Sequence, residues 1–349
     1  MNTVVSSMVM NGRVLLLMSN GQRRVASEIG RRLELTEVRP SQRFASGLAG
    51  HLWEQVMLAM RVARRPLWSP STSAPIAIGR QVVTIHDIAF VDVPQYFSPT
   101  FARLYRVLTA LTVRRARHIV AVSDFTRHRL IDHYRLDPRR VTTIHSGVAD
   151  AFHARPDHEI AAARAALGLP ADVPYLMAFY GNDPRKNSDR LLAAWRLLRA
   201  QGQPAARLVL FGRASNPRVF AAADRVEQDP SVVLAGDVPD DRLAALFSGA
   251  QAFVFPSLYE GFGLPVVEAA RCGARIITST VTSLPEVSPA DALLLDPHDV
   301  QAIAAAMARM LAQGDQPAAR DERIRAAARF DWDEAAARYA ALFERIFER

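Results

Sequence analysis

FPSLYEGFGLPVVEAARCGA, residues 255–274, carries the reading of the fold. An apolar run, AFVFP (252–256), passes into a glycine-rich turn and then into a helical stretch that starts near Gly263. Strand, turn and helix in that order put the turn at the carboxyl end of a strand, where open α/β sheets bind ligands. Backbone N–H groups at a helix start attract an anion. Glu260 lies on the turn and Glu268 more than one turn into the helix, with seven residues between them. They therefore reach different parts of an extended ligand, one near its phosphate end and one further out. Carboxylates accept hydrogen bonds from sugar and ribose hydroxyls. Favourable acids at a helix dipole would account for one glutamate, but not for the Gly-Phe-Gly turn followed by Pro265.

The same alternation extends in both directions. Strand candidates fall at 13–17, 82–86, 118–123, 141–145, 174–180, 206–211, 232–235, 252–256 and 275–279. Helical patterns lie between them at 98–116, 187–200 and 239–248. Alternating strands and helices predict parallel sheets covered on both faces, and near-continuous apolar strands agree with burial on both sides. A chain of 349 residues exceeds the ~250–300 at which a single core stops growing. The expected layout is an α/β protein with a domain over 1–168, a second over 169–330 and a terminal helix over 331–349. The break is read from the Pro-containing stretch after residue 149 and the Ala-rich helix ending at Leu167–Gly168. Asp331 and Glu334 read as the start of the last helix. Asp331–Trp332–Asp333 also spells a D-x-D metal–diphosphate signature, but it opens a helix and not a strand-end loop, which favours the cap.

The formal net charge is +8, and of 43 basic residues one, Lys186, is lysine. GC-rich coding explains 42 arginines. It leaves a lone ammonium, a compact point charge unlike a planar guanidinium, as a candidate functional group. Basic surface fits nucleic acid, an anionic membrane or a phosphorylated substrate. The arginines are spread out and no nucleic-acid motif is present. A single cysteine, Cys272, excludes an intrachain disulfide and a cysteine metal cage. With no signal-like N-terminus and no apolar run of the ~18 residues that spans a bilayer, a cytoplasmic protein is expected.

Lys186 lies in YGNDPRKNSDRLLAAWRLL (180–198), another strand–loop–helix passage. Cations are disfavoured at a helix start, so Arg185 and Lys186 there are expected to meet an anion.

The two motifs together resemble those of retaining glycosyltransferases of family 4, which have the GT-B fold: two Rossmann-like domains facing each other across a cleft. The 255–274 stretch resembles the family's E-x7-E signature. The resemblance implies that Glu260 contacts donor-sugar hydroxyls and Glu268 the nucleotide ribose. It brings the backbone of Gly261, Phe262, Gly263 and Leu264 to sugar and diphosphate. The 180–198 stretch resembles the G-x-x-x-P-R-K-N segment, which implies that Arg185 and Lys186 neutralise the diphosphate. Its loop is one residue short, with Asn182 where some members carry a further arginine.

In the N-terminal half, GHLWEQ (50–55), LWSPSTSAP (67–75) and VVTIHDIAFVDVPQYFSPTF (82–101) resemble bacterial polysaccharide mannosyltransferase-like members. That implies His86 beside the donor sugar and Asp87 near the acceptor. By a weaker likeness, Gly21, with Arg24 nearby, would lie at the diphosphate. AVSDFTRHRL (121–130) matches the family's serine-led helix start, so Ser123 is an expected N-cap. The terminal helix is expected to cross back onto the N-terminal domain.

The implied reaction moves a hexose from a nucleotide sugar to a saccharide with retention of configuration. No metal, cofactor or protein nucleophile is expected. GDP-mannose is the leading donor, a UDP-sugar the other choice. The acceptor is expected to be lipid-linked, in exopolysaccharide or lipopolysaccharide assembly. Peripheral attachment to the anionic inner face of the cell membrane would follow, through clusters such as Arg61/Arg64/Arg65 beside Leu58 and Val62. A catalytically inactive GT-B binding protein and a basic nucleic-acid-binding protein are the alternatives.

Overall fold

The computed structural model describes residues 3–16, 20–62, 65–202, 205–212 and 229–348. The chain folds as two compact units, Met1–Gly147 with Phe330–Arg349, and Val148–Arg329. The first boundary thus falls twenty-one residues before the one expected. Helix Asp157–Ala166 belongs to the second unit. Arg155 just before it holds Asp241 at 2.9 Å, and its backbone N–H donates to Ser248 Oγ at 3.0 Å. Those two residues lie on helix Asp240–Gly249.

Each unit carries one six-stranded sheet in which every described pairing is parallel. In the first unit the strands are β1 (Val9–Asn11), β2 (Thr36–Val38), β3 (Leu67–Ser69), β4 (Gln81–Ile85), β5 (His118–Ala121) and β6 (Val141–Thr143). Their spatial order is β2-β1-β3-β4-β5-β6. In the second unit they are β7 (Tyr175–Phe179), β8 (Arg207–Phe211), β9 (Val232–Gly236), β10 (Ala252–Phe255), β11 (Ile276–Ser279) and β12 (Leu293–Leu295). Their order is β12-β11-β10-β7-β8-β9. The central strands are buried along their whole length, as both-faced burial requires. The two-unit Rossmann-like α/β expectation therefore holds.

Local differences have physical causes. The first strand is Val9–Asn11, and Gly12–Leu16 turns as a 3-10 helix where 13–17 reads as a strand; residue 17 lies outside the described residues. Asn11 Oδ1 takes the N–H of Arg13 at 3.2 Å, and the Arg13 side chain is buried. The chain turns inward there because a charge must reach its partner. Strands 36–38, 67–69 and 293–295 are three residues each, too short to show a period.

Helix Trp332–Phe347 closes the first unit's core. Asp331 accepts the N–H groups of Asp333 and Glu334 at 2.8 and 2.9 Å, so the capping reading holds. Trp332, Tyr339 and Phe343 pack into one apolar cluster with Met10, Trp68, Val82 and Ile144. Trp68 donates to Thr84 Oγ1 at 3.0 Å, which lies 2.9 Å from the Tyr339 hydroxyl.

Candidate donor-binding site

Sheet order locates the site before any side chain is considered. In the second sheet the direction of winding reverses between β7 and β10. Loops leaving the two strands diverge at such a point and open a ligand crevice beyond their carboxyl ends. Lys186 follows β7, and Glu260 follows β10.

The loop after β7 is built to aim a cation. Asp183 caps the short 3-10 turn Pro184–Lys186 by accepting the N–H of Arg185 at 3.0 Å. Asn187 then takes a left-handed conformation, φ +61°, which Asn tolerates better than most residues. Its amide donates to the carbonyls of Pro256 at 2.9 Å and Pro297 at 2.7 Å. Three loops are tied together at that buried side chain. The tie sets Lys186 with its Nζ 2.6 Å from Glu260 Oε1. The ammonium also sits over the rings of Phe255 and Phe179, 5.2 and 5.5 Å from their centroids. Aromatic faces hold a cation without supplying a negative charge, so Lys186 keeps capacity for an anionic ligand.

Arg185 is held differently. Its guanidinium clasps the Asp183 carboxylate at 2.6–3.0 Å. Burial alone would push the Asp183 carboxyl up, but the hydrogen bonds and charge of Arg185 outweigh it and hold the group below its usual range.

The turn after β10 presents Glu260. Ser257 Oγ lies 2.6 Å from Glu260 Oε1 and 2.8 Å from the Arg185 carbonyl. The Glu260 carbonyl accepts from Ser283 Oγ at 3.0 Å, as does that of Phe262 at 2.9 Å. Both known partners of the carboxylate, Lys186 and Ser257, meet the same oxygen. Gly263 has φ +103° and starts helix Leu264–Arg271; a side chain there would be strained and would crowd Leu284 at 3.0 Å. Gly261 and Phe262 line the turn, and Glu268 is buried within the helix, 7 % exposed. Lys186 and Glu260 thus meet beside the 261–264 turn, the Arg185 carbonyl joins them through Ser257 while its guanidinium stays on Asp183, and Glu268 lies one helix turn beyond. Ser257, Asn187 and Asp183 were not singled out from sequence, although each stands inside a quoted motif.

In the first unit, His86 follows β4 and its Nε2 lies 2.9 Å from the Pro70 carbonyl. That carbonyl can only accept, so the proton is on Nε2 and Nδ1 presents a lone pair. Burial pushes the imidazole down, more than Asp87 and the Pro70 contact pull it up. Asp87 accepts the N–H of Ala89 at 2.9 Å, closing the turn into helix Ala89–Asp92. Gly21 stands at the start of helix Asn20–Arg32, and the loop residues 17–19 before it lie outside the described residues. Ser123 accepts the N–H of Thr126 at 3.0 Å and caps its helix.

The first sheet reverses its winding between β1 and β3, and the pair that stands there gave no signal in sequence. Arg13 and Glu54 meet at 3.1 Å, with side chains 5 and 0 % exposed. Arg13 also donates to the Ala45 carbonyl at 3.1 Å, and Asn11 donates to Glu54 at 2.7 Å. Gly50 is needed beside them, because a Cβ would sit 2.8 Å from the guanidinium. His51 lies 3.4 Å from Arg13 through Nδ1 and 3.4 Å from the Tyr105 hydroxyl through Nε2. Gln55 holds the 74–76 loop at 2.9 Å. GHLWEQ is therefore the segment that seals this ion pair.

Two parallel sheets of six, each with a reversal point, and a cation–glutamate pair at a glycine-rich helix start define a GT-B-type pair of Rossmann-like units. Residues 174–313 match the family described as glycosyl transferases group 1, and residues 51–152 match glycosyltransferase family 4. The chain belongs to this family of glycosyltransferases. It is 32% identical over 245 residues to the O-antigen chain mannosyltransferase B of Escherichia coli, covering 68% of this chain and 62% of that protein. It is 32% identical over 265 residues to the serotype-specific mannosyltransferase WbdA of E. coli, covering 72% of this chain and 32% of the other. The chain thus spans about three fifths and one third of the lengths of these relatives. Among solved structures, the sucrose-phosphate synthase of Thermosynechococcus elongatus superposes with a TM-score of 0.75 at 21% identity, over 98% of both chains. That likeness bears on the fold.

Proposed function

We propose that this protein is a retaining glycosyltransferase that moves a hexose, mannose from GDP-mannose, onto a saccharide carried by a lipid. The carrying observation is the Lys186–Glu260 pair at 2.6 Å beside the 261–264 turn. A donor diphosphate would take the ammonium and the helix-start N–H groups. Negative charge grows on that diphosphate as the glycosidic bond breaks, so a preorganised cation stabilises the transition state more than the ground state. Glu260, released from Lys186, would accept donor-sugar hydroxyls, and Glu268 the ribose. Attack comes from the face that the diphosphate leaves, assisted by the leaving phosphate. His86 would lie beside the donor sugar and Asp87 near the acceptor. The two mannosyltransferase relatives support mannose and O-antigen-type assembly. No helix among the described residues is long and apolar enough to cross a membrane.

The test is a melting-temperature screen against GDP-, UDP- and dTDP-sugars, since a ligand of the native state raises apparent stability. GDP-mannose should give the largest rise. A larger rise with a UDP-sugar would replace the donor, and no rise with any of them would overturn the reading. Transfer should persist in EDTA, because Lys186, Arg185 and the helix start offset the diphosphate charge. Activity lost in EDTA and restored by Mg²⁺ would contradict this.

A further inference from the structure

The segment 47–62 forms one helical run with a wide π turn over Trp53–Leu58 at its middle. Its burial repeats every four residues. Gly50, Glu54, Leu58 and Val62 face inward, while Leu48, Leu52, Val56 and Met60 are 44–81 % exposed. In an α-helix of 3.6 residues per turn a four-residue repeat drifts by about 40° at each step. The π turn, closing i→i+5, rotates less per residue and brings the repeat back. The distortion therefore keeps four large apolar side chains in one line on the surface, and single scattered exposures do not need such a device.

Helix Pro99–Arg115 runs beside it. His51 and Tyr105 rings lie 5.5 Å apart, and Gln55 and Thr112 both bond the Ala74 carbonyl. That helix exposes Phe101, Val107 and Leu111. The charges on the two helices have one sign. The single acid is Glu54, which is buried on Arg13, whereas Arg61, Arg103, Arg106, Arg114 and Arg115 are exposed. A second copy seated here would set arginine against arginine, which like-charge repulsion disfavours. Apolar side chains ringed by arginines match the boundary between lipid headgroups and acyl chains.

We infer that this two-helix face docks on an anionic lipid bilayer, with Leu48, Leu52, Val56 and Met60 entering the acyl boundary and the arginines meeting lipid phosphates. It gives a surface to the membrane attachment proposed above, and it corrects the residues. Leu58 and Val62, expected to insert, are in the core at 0 and 1 % exposure, and Arg64 lies outside the described residues.

The test is co-sedimentation with vesicles of phosphatidylcholine alone and of equal parts phosphatidylcholine and phosphatidylglycerol. The full chain should sediment with the mixed vesicles and stay in solution with the neutral ones. Leu52→Gln/Met60→Gln should cut the partition about tenfold and make the remainder disappear in high salt. Arg61→Glu/Arg103→Glu should abolish it, while Leu294→Gln, an exposed leucine of the second unit, should change nothing. Melting shifts with nucleotide sugars, read on the same variants, should match the unsubstituted protein and so separate this face from the donor site. Unchanged sedimentation of Leu52→Gln/Met60→Gln would overturn the proposal. So would lipid-independent dimers that this variant dissolves, which would assign the face to a second copy.

Discussion

Each of the two sheets holds a cation–glutamate pair at the point where its winding reverses, and the two pairs are opposites. Arg13–Glu54 is sealed: a planar fork spends its donors on Glu54, the Ala45 carbonyl and Ser73, and Asn11 adds a further bond. Lys186–Glu260 is open: side chains 20 and 11 % exposed, one carboxylate oxygen engaged by both known partners, and the ammonium resting on two rings. Identical position in the fold thus supports two uses. A buried guanidinium tied to several partners at once fixes structure, whereas a point charge with spare capacity can exchange one anion for another.

The contrast can be broken most directly at the sealed pair. Glu54→Ala leaves Arg13 buried without its counter-charge and should cost about 3–5 kcal/mol of stability. Urea unfolding measures it, and a loss below about 1 kcal/mol would show that the pair is not structural. At the open pair the effect should move from stability to rate. Lys186→Ala should lower kcat by roughly 10²–10³ with little change in melting temperature, and near-normal turnover at saturating donor would remove Lys186 from the chemistry.

The two glutamates of the second unit sharpen the comparison further. Glu268→Ala should raise the donor KM and weaken binding of free GDP by the worth of a hydrogen bond to a charged group, about 1.5–3 kcal/mol. Glu260→Ala should act mainly on kcat while GDP still binds. Calorimetry beside steady-state kinetics separates them, and reversed phenotypes would exchange their roles.

The smallest effect concerns pH. Burial first, then Arg13, pushes His51 down to about 4, and burial with Arg345 and Arg140 does the same to His118. A depressed folded value means that the native state favours neutral imidazole. That stability is complete above the usual 6.5 and is lost as pH falls towards about 4. Glu54, whose carboxyl burial pushes up despite Arg13, works in the opposite sense. The histidine part is therefore the difference between the native chain and His51→Gln/His118→Gln. The melting temperature of that variant should fall less between these limits, and parallel curves would refute the assignment.

The open pair was legible in sequence and the sealed one was not, for a physical reason. Lys186 and Glu260 each sit in a strand–turn–helix segment whose glycines and prolines announce the turn, so each half could be read locally. Arg13 and Glu54 are 41 residues apart. Neither segment shows that a charge leaves the RVLLL run to meet the other, so the run reads as a strand. The π turn was equally hidden, because GHLWEQ continues a helical pattern and the extra residue per turn leaves no mark in composition. The domain boundary was placed late because the bonds of Arg155 to Asp241 and Ser248, not the proline-containing stretch, decide where helix Asp157–Ala166 belongs.

The core of the first unit has a consequence for synthesis. Its apolar cluster takes Trp332, Tyr339 and Phe343 from the last helix, while Val148–Arg329 is contiguous. Domains usually fold in the order in which they leave the ribosome. Here the strands of the first unit lack one wall of their core until a helix made after the whole second unit arrives, and that second unit can finish before it. A nascent chain released short of residue 332 would expose Met10, Trp68 and Val82 to the solvent and to chaperones, although all six strands of that sheet had already been made.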